Sequence, residues 1–96
     1  MAFAATGSVA TDKAVRYLKA LCNHFSHKVP AAYDDNHGTV QFGFGTCEMF
    51  ADDTSLTFHI DAETEENLAR VQHVVADHVE RFTGADALKV AWAVQS

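Results

Sequence analysis

Apolar residues recur at two different spacings along this chain, and the change from one spacing to the other divides it into elements. Val15, Leu18, Cys22, Phe25 and Val29 return every three or four positions, the period of one helical face. Thr11 or Asp12 can cap this stretch and Pro30 stops it, so a helix is predicted from there through about Lys28. A second helix is predicted after the capping residue Thr64. It carries Glu65 and Glu66 in the first turn, where the helix dipole favours acid, and ends at Gly84. Its apolar stripe is Leu68, Val71, Val75, His78, Val79 and Phe82. Between the helices the period is two, which predicts strands over 31–35, 39–44, 46–52 and 56–61. Asp35-Asn36-His37-Gly38, then Gly43 and Gly45, then Asp52-Asp53-Thr54-Ser55 supply the turns between them. A short strand from Gly7 to Thr11 opens the chain. A last one from Leu88 to Val94 alternates Leu88, Val90, Trp92 and Val94 with Lys89, Ala91 and Ala93.

The order is thus β-α-β-β-β-β-α-β, and the fold class is α+β: a two-layer sandwich, an antiparallel sheet with two helices on one face. Phe25, Phe42, Phe58, Phe82 and Trp92 are expected between the layers, with Gln41, Thr57, His59 and Lys89 on the uncovered face. The 96 residues read as one domain, 1–96. Hydrophobic residues at 48% and charged ones at 21% describe an ordinary globular chain. Thirteen carboxylates against seven Lys and Arg leave a net charge of -6, which opposes nucleic acid and anionic lipid as partners. The opening residues lack a basic segment followed by an apolar run, and no later stretch has membrane-spanning length, so a cytoplasmic location is expected.

Chemistry concentrates where the first helix ends, at Cys22-Asn23-His24-Phe25-Ser26-His27-Lys28. At roughly 100° per residue, Tyr17, Leu21, His24 and Lys28 share one shoulder of the apolar stripe, and His27 turns toward water. Cys22 and His24 then lie roughly 200° apart and cannot hold one ion. His24 and His27 can share an ion at the helix surface, but no third ligand accompanies them, so neither a metal nor another cofactor is expected. His78 lies in line with apolar residues, and an unpaired buried imidazole costs about 1–3 kcal/mol. Its partner is expected to be a backbone carbonyl, the hydroxyl of Tyr17 or Tyr33, or a carboxylate. Arg81 flanks the same stripe. It either pairs with Asp77 or Glu80 in water or anchors an anion together with Lys28 and His24.

Other groups are less suited to chemistry. Cys22 and Cys47 face inward, where burial raises a thiol pKa and removes nucleophilicity, and they are too few for a disulfide framework. Asp34, Asp35, Asp52 and Asp53 fall in turn sequences that use aspartate for local hydrogen bonding. Gly43-Phe44-Gly45 joins two strands and opens no helix, so it is not a phosphate loop. The candidate binding set is therefore His24, Lys28, His78, Arg81 and Tyr17, and no catalytic residue is assigned.

Three segments carry a family resemblance: Arg16-Tyr17-Leu18-Lys19 continuing through Leu21-Cys22-Asn23-His24-Phe25-Ser26-His27-Lys28, then Phe42-Gly43, then Val74-Val75-Ala76-Asp77-His78-Val79-Glu80-Arg81-Phe82. In these the chain resembles the bacterial domain of unknown function 2218 family over nearly its whole length. The resemblance implies a small stand-alone bacterial protein, or a domain joined to a siderophore-interacting flavin reductase, with no established activity. An aldolase-type label found among relatives does not fit, because the barrel it refers to takes about 250 residues.

The leading expectation is a non-catalytic ligand-binding or accessory module. His24, Lys28, His78 and Arg81 meet where the two helices approach, and the ligand is an anionic small molecule such as a catecholate or carboxylate chelate of iron. The rival is an interaction module that pairs with a second copy, or with a flavin reductase, through the open sheet face or a strand edge. A small enzyme using His78 as acid or base is the third reading.

Overall fold

A computed structural model of the chain describes residues 3–84 and 88–95. Its elements are β1 (Phe3–Ala10), α1 (Ala14–Ser26), β2 (Ala31–Tyr33), β3 (His37–Gln41), β4 (Thr46–Ala51), β5 (Ser55–Ala62), α2 (Glu65–Thr83) and β6 (Ala91–Gln95), in the predicted order. The six strands form one antiparallel sheet in the order β2-β3-β4-β5-β1-β6. Strands β2 to β5 are a meander joined by tight turns. Strand β1 then inserts between β5 and β6, so that β4 and β5 are the two central strands of the sheet.

Alternation along each strand sends Ala5 and Val9, Val40, Cys47 and Met49, and Leu56, Phe58, Ile60 and Ala62 to one face, and both helices cover it. Across the middle runs a row of register partners, Trp92, Gly7, Phe58, Met49 and Gly38. Two glycines interrupt the large side chains of this row. A β-carbon at Gly7 would stand 2.6 Å from the Trp92 ring, so the bare backbone there is what lets the indole lie flat over β1. At Gly38 the vacant space holds the Cys22 thiol, whose sulfur is 3.8 Å from the Met49 sulfur.

The Thr64 hydroxyl accepts the Asn67 N–H at 3.0 Å and caps α2 as expected. Lys13 precedes α1 without a side-chain cap; the Thr11 hydroxyl instead accepts the Lys13 N–H at 3.0 Å in the turn before the helix. Asp34 and Asp52 accept successive backbone N–H groups of Asn36 and His37, and of Thr54 and Ser55, which is the turn chemistry anticipated for them. Those donors stabilise the ionised form and hold both carboxyls below the usual carboxylate range.

Several expected positions need correction. Tyr17 and Leu21 were expected on a shoulder of α1, yet both are buried, while Val15 of the predicted stripe is 38% exposed. The covered arc of α1 is Ala14, Tyr17, Leu18, Leu21, Cys22 and Phe25, wider than one stripe and rotated, because the helix meets α2 as well as the sheet. Of the aromatic residues expected between the layers, Phe58 and Phe25 are buried, Phe42 and Trp92 are half-buried, and Phe82 is 37% exposed. Strand β3 ends at Gln41 and leaves Phe42 in the following turn, where the Phe42 N–H donates to the Gly45 carbonyl at 2.8 Å. Lys89 lines a groove beside α2 with Gln72 and Glu80, not the open sheet face. The side chain of Val94, expected to return to the core, lies outside the described ones.

Candidate functional site

His24 sits in the last turn of α1, one position before the buried Phe25, and His78 sits late in α2, one position before the buried Val79. One residue is a rotation of about 100°, so each imidazole stands at the edge of its helix's buried face, half in and half out of solvent. Packing of the two helices brings those edges together. The ring centroids of His24 and His78 are 5.0 Å apart with planes inclined at 46°.

Aromatic rings enclose the pair. Phe25 approaches the His78 ring to 4.8 Å and Phe82 approaches the His24 ring to 5.1 Å. Phe42 meets Phe25 edge-on at 5.1 Å, Phe44 stacks beside Phe42 at 5.6 Å, and the Arg70 guanidinium lies 4.2 Å above the Phe44 ring. Phe82 as a wall of this cluster, and Phe44 with Arg70 at its far end, were not anticipated. The four-residue spacing of His78 and Phe82 places both on one helical face and was the available signal.

His78 Nδ1 lies 2.7 Å from the Val74 carbonyl oxygen one turn back in its own helix. A carbonyl only accepts, so Nδ1 carries a proton, and in the neutral form of the ring the lone pair is on Nε2. Neither Tyr17 nor Tyr33 is the partner. Tyr17, 8% exposed, faces the core two turns before His24, roughly 10 Å along the helix. Arg81 is paired with Asp77 at 3.7 Å on the exposed surface of α2, as its ordinary reading anticipated. Lys28 and His27 follow α1 and are exposed.

Partial burial is the first cause that lowers the His24 pKa below its ordinary value of 6.5, and the positive fields of His78, Lys28, Arg81 and His27 lower it further. Lys28 and Arg81 are thus near enough for their charges to act on the His24 ring. A base whose pKa is lower folded than unfolded makes the unfolded chain the better proton acceptor. The contribution of His24 to stability is therefore complete above pH 6.5 and is lost as the pH falls through the folded value. In urea unfolding at pH 7.5 and pH 5, His24→Gln should lose less stability on acidification than the wild type. Equal losses would show that His24 does not carry this dependence.

The thiols offer no chemistry. Burial pushes Cys22 up to about 11 and Cys47 further still. Among the described residues, no cluster of three or more His, Cys, Asp or Glu side chains is placed to hold a metal ion. The open sheet face carries a separate polar network. Thr6 Oγ1 and His59 Nδ1 are 3.3 Å apart and His37 Nε2 is 2.8 Å from Glu48. Phe50, 39% exposed, lies between the two histidine rings at 4.9 and 5.3 Å. Among the described residues no helix is long and apolar enough to cross a membrane.

A family model for an uncharacterised protein conserved in bacteria, DUF2218, matches residues 6–93. The chain belongs to this family. The chain is also similar to PA4090 from Pseudomonas aeruginosa, whose NMR structure has 34% sequence identity, a TM-score of 0.80, and coverage of 95% of each chain. No curated protein matches the sequence. The family match covers both helices of the imidazole pair and strands β2 to β5 in full, and the family description assigns no activity to that site.

Proposed function

We propose that this DUF2218 member is a non-catalytic binding module that takes an anionic small molecule at His24, Lys28, His78 and Arg81. The observation that carries the reading is the juxtaposition of two imidazoles from different helices, 5.0 Å apart, with Lys28, Arg81 and His27 near enough to act on the His24 ring, on a chain of net charge -6. Positive charge gathered against the overall sign of a molecule attracts an anion locally and orients its approach. Flanking rings of Phe25 and Phe82 add apolar surface suited to a planar ligand. A catecholate or carboxylate chelate of iron combines both properties, and the resemblance to domains joined to siderophore-interacting flavin reductases points to the same class.

Binding of a ferric tris-catecholate, which presents negative charge and aromatic edges with no open metal position, tests the reading. The double variant His24→Ala/Arg81→Ala should bind it at least tenfold more weakly, since each charge-assisted contact is worth roughly 1.5–3 kcal/mol. Unchanged binding in the double variant would remove the basis of the proposal. A second reading, an interaction module pairing through the open sheet face, draws on the exposed Phe50 between His37 and His59. A monomeric mass in sedimentation at high concentration would count against self-association.

A further inference from the structure

We infer that His24 and His78 form a two-imidazole half-site for a divalent transition-metal ion that arrives already held by an anionic chelator. The inference rests on the anion-binding reading and gives it a coordination chemistry. Three observations support it.

The first is the state of His78. Metal-bound histidines characteristically donate the second ring N–H to a carbonyl or carboxylate, which fixes the tautomer and the ring orientation. The 2.7 Å bond from Nδ1 to the Val74 carbonyl does this, with Nε2 left as the donor atom. Among the described residues no buried side-chain nitrogen or oxygen lacks a partner, and no described group bonds Nε2 of His78 or either ring nitrogen of His24. Both imidazole residues are only partly buried.

The second is the spacing. With a metal–nitrogen bond of about 2.0–2.1 Å and a ring centre about 1.1 Å behind the nitrogen, two imidazoles at roughly 90–110° around one ion hold their centroids roughly 4.5–5.2 Å apart. The observed 5.0 Å falls within that interval.

The third is the balance of ligands and charge. Two imidazoles are too few for a closed protein site, which takes four ligands, and the described residues contribute no cluster of three. A bare dication would also be repelled by Lys28, Arg81 and His27, with Asp77 already engaged by Arg81. A chelate with net negative charge and two adjacent open positions meets both conditions: its own donors complete the coordination shell, and its carboxylates offset the charge of these cationic groups. Imidazole donors favour zinc, copper and nickel over harder ions.

Nickel(II) nitrilotriacetate has that charge and two adjacent open positions, and is the probe. Calorimetric titration of the full chain should give saturable one-to-one binding, with affinity falling on acidification because a protonated imidazole cannot ligate. His24→Gln and His78→Gln should each weaken it at least roughly tenfold, and His73→Gln, on the far side of α2, should not. Amide NMR spectra establish that each variant is folded; if His78→Gln is not, His24→Gln decides alone. Retention of wild-type affinity in a folded variant, or no binding of the nickel complex at all, overturns the half-site. If the ferric tris-catecholate still binds in that event, anion binding stands without inner-sphere coordination. If neither complex binds, both readings fail.

Discussion

Replacing Phe58 with alanine should lower the unfolding free energy by about 3–5 kcal/mol, the range for truncating a fully buried aromatic side chain. Phe58 is 0% exposed and lies between Gly7 and Met49 in the central row of the sheet. On the Gly7 side there is no side chain to collapse into the void, and the Trp92 ring, 6.4 Å away, is held in place by packing against that same glycine. The cavity should persist. A domain of this size has about 5–15 kcal/mol of stability in all, so the variant should be close to unfolding at room temperature. Urea unfolding with an unchanged m-value measures the loss directly. A loss below about 1.5 kcal/mol would show that the core relaxes around the site and that the row is not rigid.

Gly45→Ala is the second large effect, and it connects the core to the imidazole pair. An added β-carbon would collide with Val71 Cγ2 of α2 and stand 2.7 Å from the backbone oxygen of Asp61, with Ala62 Cβ at 3.3 Å. Asp61 is paired on both sides, opposite Ala4 and opposite Thr46, so its carbonyl cannot retreat. Relief must come from α2. Overpacking of this kind costs about 1–3 kcal/mol. Val71 and His78 are two turns apart on the same helix, so a shift at Val71 should alter the contact of His78 with His24. The measurement is the unfolding free energy together with the ring resonances of the two histidines. A variant as stable as the wild type, with unmoved resonances, would mean that Gly45 does not set the distance between α2 and the sheet.

Sequence reading reached the elements more securely than the faces. Both helices, all six strands and the Thr64 cap follow from local periodicity and capping chemistry, which act within a few residues. The buried face of α1 was read as a narrow stripe through Val15. The wheel measures angle but not which side a neighbouring helix will cover, and α2 covers the side bearing Tyr17 and Leu21. Phe82 was assigned to the core as the last residue of the apolar stripe of α2. It stays partly exposed because it lies at the end of α2 against His24, where its ring faces the imidazole cluster and not the middle of the sheet.

The candidate site divides in the same way. That His24 and Lys28 share a side of one helix, and His78 and Arg81 a side of the other, is visible in the spacing. That Tyr17 is buried is not, because its position depends on how deeply α1 is covered. The Val74 carbonyl as partner of His78 was one of several candidates in the sequence, and only the side-chain rotamer selects it.

By itself, the sequence determined the order β-α-β-β-β-β-α-β, the one-sided covering of the sheet and the inert setting of the two cysteines. Each of these depends on periods and residue types that act locally. The tertiary structure alone decided that β1 would lie between β5 and β6, and that His24 and His78 would meet at 5.0 Å. The reason is that contacts between distant segments depend on which strands pair and how two helices share one apolar layer, and no spacing along the chain encodes that choice.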